Sequence, residues 1–124
     1  MSEADEQYTV CQYLDWRRVP YFHIANEAKR GPKAQREFKR LGGKPGVPDL
    51  CIPVAKGGYF GLYIEMKYGR NKPTDNQMRW LVTLNAQGYK AVTCWSADDA
   101  IAIIKGYLMR PETKREAQRD TVTP

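Results

Sequence analysis

The chain has 124 residues, of which 42% are hydrophobic and 27% charged, and a formal net charge of +6. That length suits one globular domain with a single core. No run approaches the ~18 consecutive apolar residues of a membrane helix, and the polar, acidic start Met1-Ser2-Glu3-Ala4-Asp5-Glu6 is unlike a secretory signal. Three scattered cysteines, Cys11, Cys51 and Cys94, have neither zinc-type spacing nor a disulfide frame, and read as reduced core thiols of a cytoplasmic protein.

In chain order, Glu3 to Arg18 reads as a helix, with Val10, Tyr13 and Leu14 at i, i+3 and i+4, and Pro20 stops it. Tyr21 to Ala25 is short, aromatic and apolar, and predicts a strand. Next comes a basic segment. Lys29, Arg30, Lys33, Arg36, Lys39, Arg40 and Lys44 stand against the single Glu37, so this stretch alone carries +6, equal to the charge of the whole chain. Such a concentration suits a polyanion, nucleic acid first, although a solvated helix face has the same composition. The centre of the segment, Lys33 to Leu41, predicts a helix closed by Gly42-Gly43. Pro48 to Val54 and Tyr59 to Tyr68 predict two strands around Lys56-Gly57-Gly58. Thr74 to about Gln87 predicts a helix, with Thr74 and Gln77 as a capping box and Gly88 as its stop. Tyr89 to Trp95 predicts a strand, and Ser96 to Leu108 a last helix with Ser96 and Asp99 at its start. Residues 1–108 form the domain, and 109–124 read as a frayed tail. The order α-β-(α)-β-β-α-β-α gives an α/β fold, a mixed central sheet flanked by helices.

The two central strands carry more than their own pairing. Leu50, Ile52 and Val54 alternate on one strand; Phe60, Leu62, Ile64 and Met66 alternate on the next. Both apolar faces must meet one core, so 50 pairs with 64, 52 with 62 and 54 with 60 around a loop at 56–58. That register sets Asp49 opposite Glu65, with Lys67 two residues further on the same face. Two carboxylates about 5 Å apart at the backbone repel unless a cation lies between them. Oxygen ligands of this kind suit a hard divalent ion such as Mg²⁺. A neighbouring lysine can hold an attacking water or offset charge developing at a phosphorus. All three side chains are expected to be reachable by solvent. A polar outer sheet face with a surface Glu-Lys pair would show the same residues.

Gly46-Val47-Pro48-Asp49-Leu50 followed by Ile64-Glu65-Met66-Lys67 resembles the PD-(D/E)XK nuclease superfamily with its restriction-endonuclease-like core. More narrowly, Phe22 to Asn26, Gly46 to Pro53, Gly57-Gly58-Tyr59, Gly61 to Lys67, and Gln77 through Trp80 to Gly88 resemble the VRR-NUC domain in its standalone bacterial and phage form. The resemblance covers about residues 3 to 108. It implies a Mg²⁺- or Mn²⁺-dependent, structure-specific DNA endonuclease in the cytoplasm of a bacterium or a phage-infected host. It implies Asp49, Glu65 and the Met66 carbonyl as metal ligands, Lys67 as the catalytic lysine and Gln77 as an active-site helix residue. A first-helix carboxylate joins the site in this family; Glu3 fits the spacing best, and Glu6 is the substitute. It further implies a homodimer that resolves four-way (Holliday) junctions. The first helix is a candidate interface, because Tyr8, Tyr13 and Trp16 exceed what one small core needs. Glu27 departs from the pattern, where a small residue is expected. For Gln77 the capping role is a complete alternative to chemistry. His23, the only histidine, is expected to be structural, and Trp80 to pack in the core. Tyr59 and Tyr63 could stack on a base or simply pack on the sheet, and Tyr68, Arg70 and Lys72 could meet a phosphate or only line a loop.

Overall fold

The computed structural model describes residues 2–25 and 31–114. Among the described residues, four helices and four strands follow one another as α1 (Glu3–Trp16), β1 (Phe22–His23), α2 (Pro32–Arg40), β2 (Leu50–Ile52), β3 (Leu62–Met66), α3 (Asp75–Ala86), β4 (Lys90–Cys94) and α4 (Ala97–Leu108). The element order is the one the sequence predicts. Among the described residues, no helix is long and apolar enough to cross a membrane. Lys29 and Arg30, and Glu27 before them, lie outside the described residues, as does the tail beyond Lys114.

The strands form one sheet in the order β1-β2-β3-β4, antiparallel at the first two junctions and parallel at the third. A parallel pair needs a long crossover, and α3 supplies it. One sheet face carries the main core. Val10 and Leu14 of α1 and Ala97, Ala100, Ile104 and Tyr107 of α4 cover Leu50, Ile52, Leu62, Ile64 and Met66. Each of the Val, Leu, Ile and Met side chains among these, taken out of water, contributes roughly 1.5–3 kcal/mol before entropy is counted. The opposite face is covered by α3, through Leu81, Leu84 and Trp80 against Ala91, Tyr63 and Tyr89. Trp80 thus packs as expected, and the rings of Tyr63 and Tyr89 meet edge-on at 5.4 Å.

Local signals explain most of the helix boundaries. The Ser2 side chain accepts from the Asp5 amide at the start of α1, and Glu3, Asp5 and Glu6 suit the positive end of the helix dipole. The helix stops two residues earlier than predicted because Arg18 adopts a left-handed conformation, φ 57°. Thr74 and Gln77 make a reciprocal capping box at α3, and Ser96 accepts from the Asp99 amide at α4. Near α1, β1 keeps only Phe22 and His23, both exposed, of the five residues predicted extended.

The central register holds at two of its three pairs: Leu50 faces Ile64 and Ile52 faces Leu62. The third, Val54 with Phe60, does not form. Gly57 and Gly58, both at positive φ, make a tight turn closed by the Tyr59 amide on the Lys56 carbonyl. Val54 then turns back on Ile52, while the Phe60 amide donates to Gly88 across the sheet. Phe60 is therefore 59% exposed rather than in the core, its ring edge-on to Tyr89 at 5.9 Å. Beyond α4 the chain does not leave at once. The Gly57 amide donates to Pro111, the Thr113 amide to Ala55, and Lys56 bridges Glu112 in antiparallel fashion. Up to Thr113 the predicted tail is thus tied to the hairpin.

Candidate active site

The Leu50–Ile64 pair is the last regular one, and just beyond it the two carboxylates meet. Asp49 is held from both sides. Its carboxylate accepts the Met66 backbone N–H at 2.7 Å, and its carbonyl accepts from the Ile24 amide at 2.8 Å. That same carbonyl lies 2.9 Å from His23 Nδ1. Gln7 Nε2 approaches the same Nδ1 at 3.2 Å. His23 has the structural part expected of it: it ties β1 to the loop bearing Asp49.

Glu65 ends on the face covered by α3. Its Oε2 accepts from Gln77 Nε2 at 3.0 Å, while Gln77 Oε1 accepts from the Thr74 amide at 2.8 Å. The two readings of Gln77 are therefore not rivals. One end of its amide caps the helix, and the same constraint aims the other end at Glu65.

Solvent access differs from expectation. Glu65 is 2% exposed and Lys67 8%, because α3 lies over the face that the alternation left outward. Burial drives the electrostatics. It pushes the Glu65 carboxyl up to about 8, and the negative charge of Asp49 adds to the push; Lys67 opposes it, and Glu3 contributes a further upward push. Asp49 is also raised, by burial first, against the Met66 N–H, its contact with Glu65, and the charges of His23 and Lys67. Two buried carboxyls in contact cannot both ionise cheaply, so without a cation the pair as a unit favours retaining a proton. Lys67 is fixed through its backbone, whose N–H donates to Cys94 at 2.8 Å.

Of the two first-helix candidates, Glu6 is engaged elsewhere. Its Oε1 accepts the Ala97 amide at the start of α4. Glu3 instead acts on Glu65 electrostatically. It also lines a cleft of about 540 Å³ with Gln7, Tyr8, Cys11 and His23. The Glu6 contact joins residues far apart in sequence, so no local signal distinguishes it.

The donor set fits a hard divalent cation. It offers two adjacent carboxylates, no sulfur and no imidazole nitrogen, and a buried proton that a cation would replace. Among the described residues, no group of three or more His, Cys, Asp or Glu side chains could hold a metal. A site with two carboxylates leaves the remaining positions to a backbone carbonyl, water and phosphate oxygens, as Mg²⁺ prefers.

Lys33, Arg36, Lys39 and Arg40 are exposed on α2, and Lys44 is exposed beyond it. Arg40 is bound to Glu37, with Nε at 2.9 Å. No residue of α2 is buried and none enters either core cluster. The cysteines are free thiols, Cys51 and Cys94 buried and Cys11 half-buried.

Comparison with curated proteins gives no match. A solved structure described as a "VRR_NUC domain protein" superposes with a TM-score of 0.74 at 30% identity, over 90% of this chain and 92% of that one. The VRR-NUC domain family model matches residues 1–98. With most of its length inside that match, the chain belongs to the VRR-NUC family of nuclease-type domains.

Proposed function

We propose that the chain is a divalent-metal-dependent endonuclease that hydrolyses phosphodiester bonds in branched DNA. The observation that carries this reading is the convergence of Asp49, Glu65, Lys67 and Gln77 on one corner, with Glu65 and Lys67 buried and Asp49 and Gln77 half-buried, where a cation would offset the crowding of two carboxyls. Asp49, Glu65 and the Met66 carbonyl would hold Mg²⁺ or Mn²⁺. Such an ion supplies Lewis acidity toward phosphate and lowers the pKa of bound water. Water attacks the phosphorus in line, the opposite P–O bond breaks, and the departing oxygen takes up a proton. Lys67 orients the water and offsets charge on the pentavalent transition state. Gln77 holds the Glu65 carboxylate in one orientation, and Glu3 stands by as a second-row carboxylate able to take the proton released by water.

Lys29, Arg30, Lys33, Arg36, Lys39, Arg40 and Lys44 bind the DNA backbone on this reading. Each chain has one D…E-x-K centre, and resolving a four-way junction takes two incisions, so a two-fold homodimer is the working unit. Trp16, 79% exposed at the far end of α1 from Glu3, marks a candidate interface. The free thiols suit a reducing, cytoplasmic setting.

The test is incubation with Mg²⁺ or Mn²⁺ and labelled duplex, flap, four-way junction, single-stranded DNA and RNA substrates, with light scattering alongside. Paired incisions in the junction and a mass near twice 14.2 kDa are expected. Binding without cutting would make the chain a non-catalytic DNA-binding module on this fold. Preferential cutting of RNA or single strands would move the substrate class, and cleavage in excess EDTA would remove the metal from the mechanism.

A further inference from the structure

Gly46 stands three residues before Asp49, buried and at φ +88°. The positive φ alone favours glycine, but the space around it is the stronger constraint. A Cβ at this position would lie 2.6 Å from the Asn76 carbonyl carbon, 2.7 Å from the Gln77 nitrogen and 2.8 Å from the Asn76 Cβ. Two of these three atoms are backbone, in the Asn76–Gln77 peptide within the first turn of α3. The loop bearing Asp49 therefore rests directly on the helix turn bearing Gln77, with no side chain between them.

Ordinary contact begins near 3.4 Å, so a methyl group on Gly46 would force the two backbones apart by about 0.8 Å, the difference between 3.4 and 2.6 Å. Gln77 Nε2 lies 3.0 Å from Glu65 Oε2. A retreat of that size along the Gln77–Glu65 direction would take this contact to about 3.8 Å, beyond hydrogen-bond length. Gln77 has little freedom to follow, because its other amide end is bound to the Thr74 amide within the same turn. At the far end of the loop, Asp49 is bound to the Met66 amide on the neighbour of Glu65. Gly46, Asp49, Met66, Glu65 and Gln77 close a ring of short contacts, in which the one contact lacking any side chain is at Gly46.

We infer that Gly46 is a positioning residue: by letting the Asp49 loop touch the α3 backbone, it sets the reach of Gln77 to Glu65 and so the alignment of the two carboxylates. The inference rests on the nuclease reading for its kinetic consequence, but not for its geometric one. A glycine needed only for its backbone conformation would lower stability without acting through Gln77.

The experiment is a double-mutant cycle of Gly46→Ala and Gln77→Ala on the full chain, with a readout independent of activity. In cleavage assays, Gly46→Ala should lower kcat at least tenfold and leave KM within twofold. In the Gln77→Ala background the same change should cost less than twofold more, because the contact it disturbs is already gone. By NMR, the Gln77 side-chain amide resonance, assigned by its loss in Gln77→Ala, should move in Gly46→Ala toward the position of a solvent-bonded amide. Gln77→Asn, one methylene shorter, should reproduce the kinetic effect of Gly46→Ala without touching the glycine. Additive losses, an unmoved Gln77 amide resonance, full activity in Gln77→Asn, or a Gly46→Ala chain that does not fold would each overturn the inference. A wild-type chain that cleaves nothing would defeat the nuclease reading, while the amide resonance would still decide the role of Gly46.

Discussion

Two regions of this molecule, one rich in carboxyls and one basic, are built in opposite ways. The acidic corner at Asp49 and Glu65 is held by backbone and side-chain bonds from β1, β3 and α3, and its members are largely withdrawn from water. The basic helix α2 buries no residue and joins neither core. Chemistry at a phosphorus requires groups fixed to fractions of an ångström, which takes many constraints. Attraction to a polyanion requires charge within a Debye length and tolerates loose geometry. The contrast predicts that changes in the corner act on rate, and changes in α2 act on affinity.

The largest effects should come from Asp49→Ala, Glu65→Ala and Lys67→Ala, each lowering cleavage by roughly three orders of magnitude or more with binding retained. Their stabilities should differ. Asp49→Ala orphans the Met66 N–H and should cost about 1–3 kcal/mol. Glu65→Ala frees a donor on half-buried Gln77, which water can reach, and should cost less. Rates and thermal melts of the three variants check both statements, and wild-type activity in any one removes that residue from the site.

Next in size is the reversal of Lys33, Arg36, Lys39 and Arg40 to Glu. DNA affinity should fall by roughly 10²-fold or more at low salt, and the slope of log affinity against log salt should flatten by about 0.9 per lost phosphate contact. The melting temperature should barely move, since none of the four supports the core. An unchanged salt slope would take α2 off the DNA and end the contrast.

The third effect is on stability against pH. A carboxyl whose folded pKa lies above its unfolded one binds its proton more tightly in the folded chain. Glu65, raised from 4.5 to about 8, therefore stabilises the metal-free fold fully below pH 4.5. That contribution is lost progressively as pH rises to about 8, a loss on the order of a few kcal/mol. Glu65→Gln should abolish this part of the pH dependence, and Mg²⁺ or Mn²⁺ should restore wild-type stability more at pH 8 than at pH 5. Ca²⁺ should support DNA binding but little cutting, because it favours a looser, higher coordination. Melts in EDTA that are flat between pH 5 and 8 would contradict the shared proton.

What the sequence makes legible follows from the range of each signal. The pairs Leu50–Ile64 and Ile52–Leu62 are readable because period-two alternation is local and one register buries both stripes. That register brings Asp49 beside Glu65. The pair Val54–Phe60 is misread because the Phe60 amide is taken by Gly88, 28 positions away, which no local pattern reveals. The burial of Glu65 and Lys67 escapes for a similar reason. Alternation says which face they share but not that α3 will cover it. Glu3 and Glu6 cannot be separated until α4 places the Ala97 amide against Glu6. The hold on residues 111–113 is likewise hidden, since it is an irregular strand-like contact without periodicity.

The smallest predicted effect is the most discriminating, because it falls on the side chain where capping and chemistry meet. Thr74→Ala removes the acceptor for the Gln77 backbone N–H but keeps the Thr74-position N–H that holds Gln77 Oε1. It should therefore cost about 1 kcal/mol of stability, the usual worth of an N-cap, with kcat changed less than about threefold. Gln77→Glu does the reverse. A glutamate at this position still completes the capping box and suits the helix dipole, so the cap itself should hold, while the third carboxyl beside Asp49 and Glu65 should cost stability as pH rises. Yet it replaces the donor 3.0 Å from Glu65 Oε2 with another acceptor, and kcat should fall by about tenfold or more. Paired melts and single-turnover rates for the two variants separate what a single alanine at Gln77 would confound. If Thr74→Ala loses as much rate as Gln77→Glu, the capping box itself governs activity, and the corner owes its precision to helix stability rather than to the bond between Gln77 and Glu65.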